Sequence, residues 1–248
     1  MRHRRVILTA VSPFDPIPFL ESGYDPVRIS TIRLLPNIRE IRILKERLLE
    51  RRHDSAAFMS PRAIEIVNPN KEIIRILSEM RLFAVGPSTK KSLAKFGLRN
   101  VKMPDEYTSK ALSAYITSEN LKSPFSSLAL IRSSFADNSM FDELFSKGIP
   151  VDEYRIYSPK LNLEGVEELL KELRAGADFV VFTSHASFEL MWKFLPYTGC
   201  RELEELLTRT RVVAIGPETA KALKSFGIDP LVAPDHSIAG VSSFIKVM

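Results

Sequence analysis

The chain has 248 residues, of which 45% are hydrophobic and 26% charged, a composition that is typical of a globular protein and excludes a disordered chain. Its length suits one large domain or two small ones. Cys200 is the only cysteine, which excludes an internal disulfide. We therefore expect a reducing, cytoplasmic location. The longest apolar runs have the length of strands, so we predict no transmembrane helix.

The net charge of +5 would suit either a nucleic acid or a small acidic ligand. The sequence has no RNA-binding aromatic motif, Cys/His finger or long basic block, so we predict no nucleic-acid partner and no membrane partner. The histidines lie in unrelated segments without metal-ligand spacing, which predicts no metal site. They are His3, His53, His185 and His236.

The first predicted element is a strand at Val6–Val11. This apolar run follows basic residues, as in a signal peptide, but it is too short and meets Ser-Pro-Phe-Asp without a cleavage site. The segment RISTIRLL, residues 28–35, predicts a second strand. Asn37 and Glu40 form a capping box at the start of a helix that runs from Ile38 to about Arg52.

Short apolar runs then alternate with helical periodicity to the end of the chain. In the first half we predict strands at 56–60, 82–86, 101–103, 127–131 and 151–157, with helices from Pro61, Pro87 and Thr108 and near Met140–Ser146. In the second half we predict a helix at Glu164–Ala175, strands at 178–184, 212–216 and 230–233, and a helix after each strand, the last from Ile238. Gly97 and Gly227 are predicted to end two of these helices.

One supersecondary pattern occurs twice. FAVGPSTKKSLAKFG at 83–97 aligns with the stretch VVAIGPETAKALKSFG at 212–227 with an offset of 130 residues. FMSPRAIEIV at 58–67 aligns with FTSHASFELM at 182–191 with an offset of 124. The pairs Pro104-Asp105 and Pro234-Asp235 continue the first alignment. A repeat of this length indicates a duplicated domain rather than a solenoid.

Strands that alternate with helices predict parallel sheets covered on both faces. We therefore predict an α/β fold of two flavodoxin-like, doubly wound domains. The two N-terminal strands have no sheet of their own and are assigned to the C-terminal domain, which is otherwise short of strands. The predicted domains are residues 1–35 with 158–248, and an inserted domain of residues 36–157, so the chain crosses between them twice.

The repeated turns follow strands, at the sheet edge where open α/β domains bind ligands. A helix start at this edge offers free backbone N–H groups and often a hydroxyl, and several such starts can hold a polyanion. Taken singly, each turn is more typical of ordinary helix capping. Neither repeated glycine belongs to a dinucleotide or P-loop pattern. The candidate ligand-binding residues are Ser60, Arg62, Gly86, Ser88, Thr89, Ser133, Ser184, His185, Gly216, Glu218 and Thr219.

The segments FMSPRAIEIV, LALIRSS, YRIY and, most specifically, IGPETAKAL resemble the uroporphyrinogen-III synthase family, from about residue 38 to the end of the sequence. The resemblance implies two flavodoxin-like domains joined by a two-stranded linker, with the substrate between them. It implies a cyclising hydro-lyase of tetrapyrrole biosynthesis that closes hydroxymethylbilane, inverts the last pyrrole ring and releases water without a metal or organic cofactor. We expect a monomer that transiently contacts the preceding enzyme of the pathway.

By the same resemblance, Tyr157 matches the tyrosine of the family motif near the domain crossing and would hydrogen-bond the departing hydroxyl group. The alternative is a linker tyrosine that packs its ring and exposes its hydroxyl to water. Arg62 would meet a substrate carboxylate or lie on the surface. His185 would line the cleft or act as a solvated helix cap.

The sequence departs from the family pattern in three places. Ala10 stands near the position where the family often has an arginine, prolines between residues 13 and 26 argue against a long first helix, and Ser133-Ser134 replaces a glycine-containing turn. Two other functions stay open beside the enzyme. One is a non-catalytic two-domain protein that binds a carboxylated ligand, and the other is a regulatory or partner-binding module with the same fold.

Overall fold

The computed structural model describes residues 4–248. The chain forms two compact units. The discontinuous unit contains the residues up to Arg33 together with Pro159–Met248, and the inserted unit contains Leu34–Ser158. Within the described residues, no helix is both long enough and apolar enough to cross a membrane.

Helices and strands alternate along most of the described chain. The N-terminal elements are β1 (Arg4–Thr9), α1 (Ile17–Glu21), β2 (Tyr24–Ile29) and β3 (Ile32–Pro36). The inserted unit continues with α2 (Ile38–Leu49), β4 (Ser55–Phe58), α3 (Pro61–Val67), α4 (Lys71–Leu77), β5 (Arg81–Ala84), α5 (Pro87–Lys95), β6 (Val101–Lys102), α6 (Ser109–Lys122), β7 (Leu128–Ser133), α7 (Ser139–Ser146) and β8 (Val151–Leu161). The C-terminal elements are α8 (Leu163–Arg174), β9 (Phe179–Phe182), α9 (His185–Phe194), α10 (Tyr197–Thr208), β10 (Arg211–Ala214), α11 (Pro217–Ser225), β11 (Leu231–Val232) and α12 (Ile238–Lys246).

The discontinuous unit is built on a five-stranded sheet in the order β11-β10-β9-β1-β2. Every neighbouring pair in this sheet is parallel. Numbered along this unit alone and read from β2, the order is 2-1-3-4-5, which is the flavodoxin-like order. The predicted fold class is confirmed, and the first strand lies inside this sheet, between β9 and β2.

The inserted unit has a six-stranded sheet in the order β3-β8-β7-β4-β5-β6. The neighbouring strands from β8 to β6 are parallel. Their order matches that of the discontinuous unit when β7 and β8 take the places of β1 and β2. The two sheets therefore share one arrangement, but the strand pair that comes first in the discontinuous unit comes last in the inserted unit.

The strands β3 and β8 carry the chain across the boundaries between the units. They run in opposite directions, because the N–H of Asn37 bonds the carbonyl of Ile156 at 2.8 Å while the N–H of Asn162 bonds the carbonyl of Thr31 at 2.9 Å. This pair supplies the two-stranded connection that the family resemblance implied.

The prediction of a single strand over residues 28–35 is wrong. β2 ends at Ile29 and β3 begins at Ile32. The hydroxyl of Ser30 donates to the carbonyl of Ile32 at 2.7 Å, and its own carbonyl accepts from the side chain of Asn162 at 2.7 Å. These bonds turn the backbone between the strands, so that β2 pairs with β1 and β3 pairs with β8.

Two segments predicted as single helices are pairs of helices. Asn70 interrupts the segment after Pro61, because its side chain accepts the N–H of Ile73 and starts α4. Pro196 separates α9 from α10. α1 has only five residues, in agreement with the argument from its prolines.

Each sheet buries both of its faces. All four residues of β4 and all four of β9 are buried, as expected for central parallel strands covered by helices. Phe58 and Phe182, at the ends of these strands, are fully buried. Each contributes about 1.5–3 kcal/mol by leaving water. Gly97 and Gly227 end α5 and α11 with φ angles of +88° and +80°, as predicted.

Candidate functional site

Parallel strands place the candidate residues of each unit at one edge of its sheet. In the inserted unit, Ser60 follows β4, Gly86 follows β5 and Ser133 ends β7. In the discontinuous unit, Ser184 follows β9 and Gly216 follows β10. Within each unit, the structure therefore brings the predicted turns to the edge formed by the carboxyl ends of the strands.

Tyr157 lies in β8 and is only 6% exposed, with its ring in the core of the inserted unit. Its hydroxyl is 2.8 Å from the hydroxyl of Ser60, so the phenol is bonded inside the protein. Burial raises the pKa of Tyr157 above its ordinary value of 10, although the hydrogen bond with Ser60 and the charge of Arg62 oppose this rise. At neutral pH the phenol is therefore protonated and able to donate.

Ser60 connects this tyrosine to a helix start. Its hydroxyl accepts the N–H of Ala63 at 3.4 Å and so caps α3. A serine hydroxyl that accepts from one group can donate its own hydrogen to another. When Ser60 donates to Tyr157, the phenolic hydrogen is left for a ligand at the carboxyl edge of the sheet.

The two Gly-Pro turns begin α5 and α11 without a capping side chain. Gly86 and Gly216 are the N-cap residues, and a proline follows each. In α6 and α12, by contrast, Thr108 and Ser237 accept a backbone N–H of the first turn. The first amide groups of α5 and α11 therefore lack a side-chain acceptor, which suits an anionic ligand.

A ring covers each Gly-Pro turn, a feature that the sequence reasoning missed. A Cβ atom on Gly86 would lie 3.1 Å from Cβ of Tyr107, and one on Gly216 would lie 3.2 Å from Cγ of His236. The available signal was the repeated Pro-Asp pair, which lies just before both rings. Both glycines have extended backbones, with φ near −175° and −170°, so the close approach of the ring is what favours glycine.

The repeated threonines are buried. Thr89 is 0% exposed and Thr219 is 4% exposed, and the hydroxyl of Thr89 has no hydrogen-bond partner. A ligand outside the unit reaches such hydroxyls only after a rearrangement. Ligand binding by these two threonines stays a prediction, whereas Ser88 and Glu218 are exposed at the same turns.

The turn after β7 differs from its prediction, because α7 begins only at Ser139. The N–H of Ser134 donates to the carbonyl of Tyr157 at 2.8 Å. The N–H groups of Phe135 and Ala136 donate to the hydroxyl and the carbonyl of Ser133. The expectation of free amides at a helix start is therefore wrong for Ser133-Ser134, since this loop closes on itself and on β8.

Arg62, Ser184 and His185 lie at helix starts, as expected. Arg62 donates from Nη1 to Glu65 at 2.7 Å, and its side chain is 28% exposed. Ser184 is the N-cap of α9 without a side-chain cap bond, and His185 is the exposed first residue of that helix. Contact of these three residues with a ligand stays a prediction.

His53 lies just before β4, at the opposite edge of the inserted unit. Its Nδ1 is 2.9 Å from the hydroxyl of Ser127 and its Nε2 is 2.7 Å from the hydroxyl of Tyr154. Within residues 4–248, no three His, Cys, Asp or Glu side chains are arranged to hold a metal ion. His3 lies outside the described residues.

Comparison with solved structures gives the same fold. Uroporphyrinogen III synthase of Thermus thermophilus, in a mutant form, aligns with a TM-score of 0.66 and 18% identity over 97% of this chain and 96% of that one. The Helicobacter pylori uroporphyrinogen-III synthetase aligns with a TM-score of 0.65 and 16% identity over 99% of this chain and 100% of that one. At these identities, the alignments establish the two-domain α/β architecture.

Sequence comparison covers both units. A protein of Methanocaldococcus jannaschii with a provisional uroporphyrinogen-III synthase name is 26% identical over 237 residues, which are 92% of this chain and 90% of that one. A protein of Methanothermobacter thermautotrophicus with the same provisional name is 28% identical over 177 residues, which are 70% of this chain and 68% of that one. The family model described as uroporphyrinogen-III synthase HemD matches residues 18–242. Because that match spans most of the chain, the protein belongs to the uroporphyrinogen-III synthase HemD family.

Proposed function

We propose that the protein is a uroporphyrinogen-III synthase, a hydro-lyase that closes hydroxymethylbilane to the ring while it inverts the last pyrrole. The observation that carries this proposal is the family match over residues 18–242, which includes the repeated turns of both units. The geometry of the inserted unit adds a protonated phenol at the edge where open α/β sheets bind ligands.

The proposed substrate suits the carboxyl edges of the sheets. It is a flexible chain of four pyrroles with acetate and propionate side groups, and each carboxylate needs hydrogen-bond donors. α5 and α11 offer first-turn amides without a side-chain acceptor. Such helix ends favour anions by about 0.3–1 kcal/mol each at exposed positions, so several are required to fold the chain.

Tyr157 is the proposed proton donor of the first step. Its phenolic hydrogen goes to the terminal hydroxyl of the substrate, the C–O bond breaks, and water leaves. The electrons of the adjacent pyrrole stabilise the resulting azafulvene cation. The buried phenolate that remains is balanced by the hydrogen bond of Ser60 and the positive charge of Arg62.

The later steps are driven by the pyrroles themselves. The cationic carbon bonds the substituted carbon of the last ring to give a spiro intermediate, the neighbouring carbon–carbon bond breaks, and the inverted ring closes at its other side. The proton released from the closing carbon restores the phenol, so the sum is one water lost. The protein contributes by holding the reacting ends together and by stabilising charge.

The test is the isomer formed from freshly prepared hydroxymethylbilane, analysed after oxidation to porphyrins. Spontaneous closure gives the symmetric type I isomer, whereas the proposed enzyme gives type III. Type I alone together with tight binding of the linear tetrapyrrole would replace the proposal with a non-catalytic binding protein. Type I alone without binding would favour a regulatory or partner-binding module.

A further inference from the structure

Two arginines face each other across β7 and β8 in the inserted unit, since Arg132 is the register partner of Arg155. The guanidinium of Arg155 is fully engaged. It donates to the carboxylate of Glu153 at 2.7 Å and to the carbonyls of Ser134 and Ala136, both at 3.1 Å. It also donates to the side chain of Asn138 at 2.5 Å.

Arg132 has the opposite environment. It is only 3% exposed, and its buried Nε and Nη1 atoms have no hydrogen-bond partner. Glu153 Oε1 lies 3.3 Å from Nη1, which is an ion-pair distance without hydrogen-bond alignment. The same carboxylate already accepts from Arg155. The carboxylate of Glu153 is therefore the acidic partner of both guanidinium groups at the end of β7.

The other acidic residue near the charge of Arg132 does not supply the missing hydrogen bonds. Asp137 is exposed, and its carboxylate accepts both the N–H and the hydroxyl of Ser139. A buried guanidinium with unbonded donors is destabilising, and an apolar residue of similar volume often leaves such a site equally or more stable. Buried donors without partners are rare in native proteins. The position of Arg132 is therefore better explained by an acceptor that comes from outside the chain.

Arg132 lies close to Tyr157, the proposed proton donor, at the carboxyl end of β7. The next residue, Ser133, is the register partner of Tyr157, and the β7–β8 register shifts between Arg132 and Ser133. Such irregularities often redirect side chains beside functional sites. We propose that Arg132 binds a carboxylate group of the ligand through its unbonded guanidinium donors.

This proposal rests on the proposed function, which supplies a ligand with many carboxylates, and assigns one of them to a residue that the sequence did not single out. A guanidinium is planar and binds a carboxylate through two parallel hydrogen bonds, which a lysine cannot reproduce. Nε and Nη1 are shielded from solvent, so binding of the carboxylate requires a local shift at the end of β7 that exposes these two atoms.

The experiment compares Arg132→Met and Arg132→Lys with the matched variant Arg155→Met. Binding of uroporphyrin III, the stable oxidised form of the proposed product, is measured by fluorescence, and stability is measured by urea unfolding. We expect Arg132→Met to bind about 10- to 100-fold more weakly and to be at least as stable as the original chain. Arg132→Lys should lose less affinity, and Arg155→Met should lose stability because it removes the bonds that hold residues 134–138.

Two results would overturn the proposal. One is unchanged binding by Arg132→Met. The other is a loss of stability in Arg132→Met as large as that in Arg155→Met, which would make Arg132 a structural residue.

A second measurement separates this inference from the proposed function. If the chain makes no type III isomer and binds no uroporphyrin, the proposed function fails. The ¹⁵N–¹H signal of Arg132 Nε, assigned with Arg132→Lys, is then followed during titration with the simple tricarboxylate tricarballylate. A saturable shift supports a carboxylate site at Arg132, and no shift overturns it.

Discussion

The two units share a backbone frame and differ in the side chains placed on it. Asp54 and Asp178 occupy matching positions before β4 and β9. The carbonyl of Asp54 accepts the N–H of Arg81 at 3.0 Å, and that of Asp178 accepts the N–H of Arg211 at 3.2 Å. Each carboxylate also accepts a backbone N–H at the start of the neighbouring strand. The duplication therefore kept the bonds that fix the register of the central strands.

The differences are concentrated at the ends of the strands. One residue before the aspartate, the inserted unit has the buried His53 and the discontinuous unit has Ala177. At the carboxyl ends, the hydroxyl of Ser60 bonds Tyr157 and also caps α3. Its counterpart Ser184 makes no side-chain cap bond with α9. At both of these matched positions, the inserted unit has a side chain that forms a hydrogen bond with another side chain of the same unit.

Removal of the phenol from the inserted unit should change the activity more than any other substitution proposed below. Tyr157→Phe should lower kcat by about 10²- to 10⁴-fold, because the departing hydroxyl loses its proton donor. Steady-state formation of the type III isomer measures this change. Unchanged kcat would remove Tyr157 from the mechanism and make the ring a packing residue.

The matched control for that variant is Tyr154→Phe, on the same strand. It removes the hydroxyl that bonds His53 at the other edge of the sheet. We expect a loss of about 1–3 kcal/mol in the free energy of unfolding, since a buried ring nitrogen is left unpaired, with kcat unchanged. A similar loss of kcat in both variants would mean that either change simply disturbs the unit.

The starts of α6 and α12 provide the second test. Thr108 and Ser237 cap Ala111 and Gly240 in the same way, at 3.1 and 3.0 Å. A Cβ atom on Gly240 would lie 2.5 Å from the carbonyl oxygen of Asp235, which is fixed backbone. Gly240→Ala should therefore reduce the free energy of unfolding by about 1–3 kcal/mol.

The reverse change in the inserted unit, Ala111→Gly, should cost only about 0.5–1 kcal/mol, through the low helix propensity of glycine. Urea unfolding of both variants measures the difference. If Gly240→Ala were as stable as the original chain, the two helix starts would be equivalent despite the close contact.

Acid should weaken the inserted unit through His53. Burial of its ring is the main cause that lowers the pKa of His53 below 6.5, and the nearby Asp152 opposes this only partly. The unfolded chain takes up a proton near pH 6.5, but the folded unit takes it up only at lower pH. As the pH falls from 6.5 to the lower pKa of His53 in the folded unit, the free energy of unfolding therefore decreases by up to about 1.4 kcal/mol per pH unit.

Urea unfolding between pH 7.5 and pH 5 tests this expectation, with His53→Gln as the variant that has no titrating ring. Hydrogen exchange then locates the effect, because amides of β4 should lose protection before those of β9. An identical pH slope in the variant and the original chain would assign the acid effect to other groups.

Exchange of the second residue of α5 and of α11 should have a weaker effect than the changes above. Ser88 is replaced by Glu218 in the other copy, and both side chains are exposed. Ser88→Glu should stabilise the start of α5 by about 0.3–1 kcal/mol and weaken uroporphyrin binding a few-fold, since a carboxylate competes for the same helix end. Glu218→Ser should do the opposite, and unfolding and fluorescence titrations with both variants measure it. Parallel changes in the two variants would contradict the role of charge.

Much of the architecture could be predicted from local sequence signals. The capping side chain of Asn37 accepts the N–H of Glu40, as its sequence position indicated. Both helix-ending glycines have positive φ angles. These features depend on a few adjacent residues, so the sequence contains their full physical cause.

Part of the candidate site could not be predicted, because its contacts join distant segments. The break at Ser30 depends on Asn162, which is 132 residues away. The turn after β7 is closed partly by the carbonyl of Tyr157, which is 23 residues away from the amide of Ser134 that it accepts. The rings of Tyr107 and His236 meet their glycines only after β6 and β11 take their places in the sheets.

The duplicated α/β pattern and the edge at which the repeated turns lie can be deduced from the amino-acid sequence, because strand periodicity and chain direction fix both. The partners of the polar groups at the strand ends, by contrast, depend on the tertiary structure. It placed Tyr157 against Ser60 and left the donors of Arg132 unbonded beside the engaged Arg155. Pairing and burial are set by strands from different parts of the chain packed side by side, and a residue's neighbours in sequence do not determine that packing.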